Sequence, residues 1–346
     1  MSIPEIVCPF CPLHCDDVRI DSPPECLILE SELVRLRSGT VHARVGEQGC
    51  TADEALAAAK SSISKSNQGT LLVRSATIGQ AKAMAYSGFA IAIETTPALL
   101  AVSKAIARCG TITATLADIK QHADAVVILG DIDSSVPRLM EKIDAGTQTV
   151  ETESQDASVC QISKPDADSI ANLATEIRHG NRFAGCAYVA FVLDSNVLDA
   201  SEAEVAIELL IETIIWMNSA GRPKQQRAVF LSLDPLASLR CTSAWTDGKR
   251  LVAVKQSDFD QATIRTGESE LASSPVDIQI GGSDPGPALA RIYLPASTSG
   301  IHHIDAVIRG DGTVTLPLAA IQETDLASVA DWIAKLSGGA KRSSSA

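Results

Sequence analysis

"ADAVVILGD", residues 123–131, is the stretch that decides the fold class. Its apolar heart, Ala125 to Leu129, is a short unbroken run closed by Gly130 and Asp131, with no alternation that would leave one face in water. A run of that length predicts a strand buried on both faces, the pattern of parallel sheets covered by helices. The neighbouring sequence agrees. "PRLMEKI" (137–143) reads as a helix and "TQTVE" (147–151) as the next strand, while upstream the strand-like "TLLVRS" (70–75) and "AIAIE" (90–94) flank the helical "GQAKAMAYSGFA" (79–90). "PALLAVSKAIARCG" (97–110) follows as a helix whose Gly110 suits a C-cap. Downstream, the helical "DADSIANLATEIRHG" (166–180) precedes "CAYVAFVL" (186–193), and "SEAEVAIELLIETIIWMNSAG" (201–221) precedes "RAVFLSL" (227–233). Strands alternating with helices predict doubly wound parallel α/β architecture.

The flanks read differently. Residues 1–50 are rich in Cys and Pro without a sustained helical period, and predict a small β-rich or loop-rich module. It ends at Thr51, an N-cap candidate opening the helical "ADEALAAAKSSISKS" (52–66). The α/β region then runs over 51–233, as one domain or two subdomains. A second α/β region spans 234–337: "DPLASLRCTSAWTDGKRLVAV" (234–254) reads as loop with a short strand at its end. "VDIQIGG" (276–282) and "ARIYLPA" (290–296) read as buried strands. "AVIRGDGTVTLPL" (306–318) reads as a hairpin, and "DLASVADWIAKL" (325–336) as the last helix. The tail 338–346 has the composition of a disordered segment.

Composition narrows the function. With 346 residues, 45% of them hydrophobic, the chain can bury a large core, and with 3% aromatics that core must be Ala, Val, Ile and Leu. A net charge of −13 argues against nucleic-acid or anionic-membrane partners, which require a basic surface. "MSIPEIVCPF" lacks the basic start and apolar run of a secretory leader, and the longest apolar stretch, 205–217, is too short to span a bilayer. A cytoplasmic location is the expectation, and there an odd count of nine cysteines points to metal or redox chemistry before disulfides.

The densest chemical signal is "CPFCPLHCDDV" (8–18). Cys8, Cys11 and Cys15 follow C-x2-C-x3-C, and Cys50, in "GEQGC", offers a distant fourth thiolate. One short loop can wrap three corners of a site while a remote ligand closes it. Thiolates suit an iron–sulfur cluster or zinc, and the three-plus-one arrangement favours the cluster over zinc's paired knuckles. Buried free thiols are the blander reading. Cys26 and His14 are the nearest substitutes as ligands, and Cys109, Cys160, Cys186 and Cys241 read as packing residues. Elsewhere the signals are thin. No G-x-G-x-x-G or Walker loop follows a strand, "IGGSDPG" (280–286) could admit a phosphate but reads better as a turn, and His302 and His303 read as an exposed turn.

Three stretches together resemble the B-subunit family of formylmethanofuran dehydrogenase: "CPFCPLHCDDV" with Cys50, residues 92–140, and residues 280–318. The resemblance implies domains of the molybdopterin-oxidoreductase type in reduced form and, in the redox enzymes, a tungsten or molybdenum pterin beside a [4Fe-4S] cluster held by the four cysteines. It also exposes departures. The family's metal-binding cysteine falls roughly at Leu100 and its histidine at Ala101, and a His-Pro-Arg motif reads Val136-Pro137-Arg138. Those losses fit the non-redox branch, the B subunit of the bacterial formyltransferase/hydrolase complex. There the resemblance implies a scaffold without its own active site. Its partners would be a C subunit, an amidohydrolase A subunit and a formyltransferase D subunit, serving tetrahydromethanopterin- and methanofuran-linked one-carbon metabolism. The cluster positions would then hold a [4Fe-4S] cluster, zinc, or nothing, with the pterin metal absent. A divergent redox subunit and a zinc-stapled α/β binding module are the alternatives.

Overall fold

The computed structural model describes residues 5–38, 42–66, 69–93, 97–143, 159–179, 182–194, 198, 201–219, 226–246, 252–253, 262–267 and 275–338. The chain divides into two compact units, and the division is discontinuous in sequence. Unit 1 comprises Met1–Phe10, His14–Glu94 and Pro235–Ala346; unit 2 comprises Cys11–Leu13 and Thr95–Asp234. The α/β region expected over 51–233 is thus shared between two sheets, and the strands after residue 234 complete the first of them.

Unit 1 opens with helix α1 (Leu27–Ser38) and the short strands β1 (Ala43–Val45) and β2 (Gln48–Cys50). Helix α2 (Ala52–Lys65) begins where expected: Thr51 Oγ1 accepts from Glu54 N at 3.3 Å and Glu54 Oε2 accepts from Thr51 N at 2.8 Å, a complete capping box. Then come β3 (Gly69–Val73), α3 (Ile78–Tyr86) and β4 (Ala90–Ile93). After unit 2 the chain returns through α10 (Ala237–Trp245), β9 (Val252–Ala253), β10 (Ala262–Thr266), β11 (Val276–Ile280) and β12 (Ala290–Leu294). The hairpin β13 (Asp305–Ile308) and β14 (Thr315–Leu318), then α11 (Val329–Leu336), finish the unit.

These strands form an eight-stranded sheet in the order β2-β1-β12-β11-β10-β3-β4-β9. From β12 to β9 every pairing is parallel, whereas β1 and β2 add an antiparallel edge. In chain order the parallel part reads 6-5-4-1-2-3, the dinucleotide-fold order seen from the other side, with its reversal point between β3 and β10. One face of the sheet packs Leu71, Val73, Ile91, Ile264, Ile278, Ile280 and Ile292 against Ala55, Ala59, Met84, Trp332 and Ile333.

Unit 2 holds α4 (Pro97–Cys109), α5 (Leu116–His122), β5 (Ala125–Leu129), α6 (Ile132–Ser135), α7 (Leu139–Ile143), β6 (Val159–Ile162), α8 (Ala167–His179), β7 (Tyr188–Leu193), α9 (Ala203–Met217) and β8 (Arg227–Ser232). Its four strands are all parallel, in the order β6-β5-β7-β8. The run at 125–129 is strand β5, buried at every residue as the unbroken apolar pattern requires. Val127 and Leu129 join Val189, Phe191, Ala228 and Phe230 in one core with Ala101, Ala105, Ile170, Ile207, Leu210 and Ile214 from the helices. The alternate residues Val126, Ile128, Ala190, Val192, Val229 and Leu231 are buried as well.

Two expectations met a different outcome. The first fifty residues contain a three-turn helix, α1, and their strands β1 and β2 edge the main sheet. "DPLASLRCTSAW" contributes helix α10, whose buried Ala237, Ser238, Leu239 and Thr242 lie at helical spacing with small polar residues in apolar places. "TQTVE" and the tail from residue 339 lie outside the described residues. Among the described residues no helix is long and apolar enough to cross a membrane.

Candidate functional site

The cysteine loop is a small antiparallel hairpin. Ile6 and Val18 pair through two backbone bonds, Ile6 N to Val18 O at 2.8 Å and Val18 N to Ile6 O at 3.2 Å, and Cys8 N donates to Cys15 O at 2.8 Å. Both Cys8 and Cys15 are buried, and Cys11 is half-buried at the start of the short stretch assigned to unit 2. His14 takes a left-handed conformation, φ 43°, which turns the chain between the pair; its Nδ1 lies 3.1 Å from Cys8 O. Burial chiefly, and the Arg309 charge further, hold His14 below its ordinary pKa against the opposing Cys8 hydrogen bond. The hairpin rests on β13–β14 through a small cluster of Val7, Val307, Leu316 and Leu318.

Cys50 has different neighbours. It ends β2 at the mouth of a cleft of about 340 Å³ lined by His42, Thr51, Asp53, Asp325, Trp332 and Lys335 among others. Burial first, then the nearby Glu54 carboxylate, push its thiol above the ordinary value. Among the described residues no three His, Cys, Asp or Glu side chains converge to hold a metal ion. Cys8 and Cys15 close the neck of the hairpin, and Cys50 lines the cleft beside β2.

Where the resemblance aligns the pterin-metal ligands, the chain carries packing residues. Leu100 and Ala101 sit in the first turns of α4, and Ala101 belongs to the apolar core of unit 2. Val136 is buried, and the following Arg138 is buried with a two-point ion pair to Glu141, 2.7 Å from Nε and 2.5 Å from Nη2.

The glycine-rich "IGGSDPG" is a fastened turn. Gly281 and Gly282 adopt φ near 70° and 68°, conformations that an L side chain resists. Arg44, 8% exposed, grips Asp284 with Nε and Nη2 at 2.7 and 2.6 Å, and also donates to Gly46 O and Ala290 O. Tyr293 Oη donates to Gly282 O at 2.7 Å and Gln279 Nε2 to Gly281 O at 3.0 Å. Burial would raise the Asp284 pKa, but the Arg44 hydrogen bond, the Gly286 N–H and the Arg44 charge outweigh it and hold the carboxyl below its usual range. Every one of these groups anchors the turn to its own sheet.

His302 and His303 are half-buried and bonded inward, where sequence reasoning expected an exposed turn. His302 Nδ1 accepts from Thr298 N at 3.0 Å, and burial, His303 and Arg35 lower its pKa. His303 lies between two buried hydroxyls, Ser297 Oγ at 3.0 Å from Nδ1 and Ser299 Oγ at 3.0 Å from Nε2. The signal that could have found this pair is "STSGIHHID" itself, in which hydroxyls, imidazoles and a carboxylate recur within nine residues.

No protein-family model and no curated protein matches the sequence. Among solved structures the chain is similar to a chain of the formyltransferase/hydrolase complex (FhcABCD) from Methylorubrum extorquens, determined in complex with methylofuran. The TM-score is 0.64 and the identity 18%, and the match covers 86% of this chain and 98% of that one. At that identity the likeness is one of fold.

Proposed function

We propose that the chain is the non-catalytic B subunit of a formyltransferase/hydrolase complex in tetrahydromethanopterin- and methanofuran-linked one-carbon metabolism. One observation carries the reading: nearly the whole of a chain from such a complex, 98% of it, shares this fold, without a large unmatched remainder on either side. In the complex the formyl group passes from formyl-tetrahydromethanopterin to a methanofuran-type carrier and is released as formate. The formyltransferase D and amidohydrolase A subunits would perform those steps. This chain would supply a surface for them and for the C subunit, and no catalytic residue is assigned to it.

Two features support a scaffold over a redox subunit. The aligned ligand positions hold Leu100 and Ala101, which have no atom to offer a metal. The surface of unit 1 displays large apolar side chains, Leu27 and Val34 one heptad apart on α1 at 71% and 61% exposure and Ile304 at 78%, of the kind that interfaces bury. The N-terminal cysteines are then retained for the fold of their hairpin. The test is co-expression of the tagged chain with the A, C and D subunits, followed by co-purification and assay of formate release. Stoichiometric association without tungsten or molybdenum is the expected result. A pterin-bound metal at one per chain, or failure to enter the complex, would refute the proposal.

A further inference from the structure

In a sheet of the order found in unit 1, the first strand after the reversal point feeds the helix whose N-terminus meets the phosphates of a bound dinucleotide. Here that strand is β3 and the helix is α3, and the amide groups of Thr77, Gly79 and Gln80 at its N-terminus are already taken. Thr77, the N-cap, accepts from Gln80 N at 3.3 Å and donates its own N–H to Gln80 Oε1 at 3.2 Å. Ala81 N returns to Thr77 O at 2.9 Å. The Gly79 N–H, which points out of the helix end, donates to Asp305 Oδ1 at 2.9 Å.

The Asp305 carboxylate comes from the start of β13, and four donors hold it. Gly79 N and Ala306 N reach Oδ1; the Thr77 and Ser299 hydroxyls reach Oδ2, the latter at 3.2 Å. With its proton donated to Asp305, the Ser299 hydroxyl can accept from His303 Nε2, whose other nitrogen meets the Ser297 hydroxyl. The approach is close enough that only glycine fits beneath it. A Cβ at Gly79 would sit 2.8 Å from Asp305 Oδ1.

We infer that the α3 N-terminus is an anion seat that the chain fills with its own Asp305 carboxylate, closing the phosphate position of this strand order to exogenous ligands. A carboxylate answers the positive end of the helix as a phosphate would, with its charge fixed in place by Ser299 and His303. The inference stands independently of the proposed subunit role.

The experiment uses the full chain, with thermal midpoints read in sodium acetate against sodium chloride at equal ionic strength, and isothermal titration with inorganic pyrophosphate. Wild type should respond to the two salts alike and take up no pyrophosphate. Asp305→Ala should lower the midpoint by roughly 4–8 °C for a unit of this size, and acetate, but not chloride, should restore part of the loss saturably. Gly79→Ala serves as a second arm should Asp305→Ala not fold. On propensity alone it would stabilise a helix, yet crowding the carboxylate should lower the midpoint. Equal acetate and chloride responses in Asp305→Ala, a raised midpoint in Gly79→Ala, or pyrophosphate binding by wild type would each overturn the inference.

Discussion

Replacing Arg44 by Met tests how the glycine turn after β11 is held. The substitution keeps most of the apolar stem on β1 and removes a guanidinium that makes four hydrogen bonds, two of them to Asp284. The side chains of the pair are only 10% and 17% exposed, so water does little to replace what is lost. Removing one partner of a buried pair costs about 3–5 kcal/mol because the other charge is stranded. Asp284 retains the Gly286 N–H at 2.9 Å and some solvent access, which puts the expected loss near the lower end, about 3 kcal/mol. At roughly 2–4 °C per kcal/mol for a unit of this size, the midpoint should fall by about 6–12 °C. Urea unfolding read from Trp332, buried in the same unit, measures it directly once Trp216 and Trp245 are changed to Phe. A cycle with Asp284→Asn should return a coupling of about 2 kcal/mol or more. The pH dependence has a definite sign. The folded pKa of Asp284 is depressed, so its stabilisation is present above the unfolded carboxylate value, about 3.9, and is lost as pH falls through the folded value. The gap between wild type and Arg44→Met should therefore narrow in acid. A loss under about 1 kcal/mol, an additive cycle, or a gap that widens in acid would refute this account of the turn.

Phe191→Ala, at a fully buried position on the middle strand β7, should cost about 3–5 kcal/mol and lower the unfolding transition of unit 2, read by urea titration of Trp216 fluorescence. Ser328→Ala removes the capping box of α11, in which Asp331 N donates to Ser328 Oγ at 3.0 Å, and should cost about 1 kcal/mol in chemical denaturation. Cys50→Ser should leave the metal content of anaerobically purified protein unchanged, because Cys50 lines its own cleft; loss of iron or zinc on that change would show that it joins the loop cysteines.

What the sequence reveals depends on the range of the interaction involved. The strand at 125–129 is legible because burial on both faces is a local property of five residues. So is the α2 start, where cap and partner lie three residues apart; α11 begins at Val329, four residues after the expected start at Asp325. The assembly of the larger sheet is not legible. Nothing near Thr70 or Thr263 announces that they lie opposite each other in β3 and β10, with a whole unit between them in sequence. Helix α10 escaped notice because Ser238 and Thr242 occupy inward positions that a hydrophobic pattern does not mark, although Ser238 Oγ accepts from Ile308 N at 2.8 Å. The same limit applies to the candidate site. Cys8 and Cys15 are neighbours through a loop visible in the spacing, whereas the place of Cys50 depends on the β1–β2 edge, and Asp305 meets α3 across 226 residues of chain.

The positions at which the sequence suggests a ligand share a physical character. At Ala101 the small apolar side chain joins Val102 and Ala105 in the core of unit 2. At Asp284 and Asp305, charged groups that could serve a bound molecule are turned to partners within the unit, one bidentate to Arg44 and one to the end of α3. Half-buried carboxylates satisfied in this way resist recruitment, since a ligand would have to match several hydrogen bonds before gaining anything. Leu27 and Val34 of α1 and Ile304 stand under the opposite condition, largely exposed to water. Polar groups settled inward and apolar side chains left outward are what the proposed association with other chains requires of this surface.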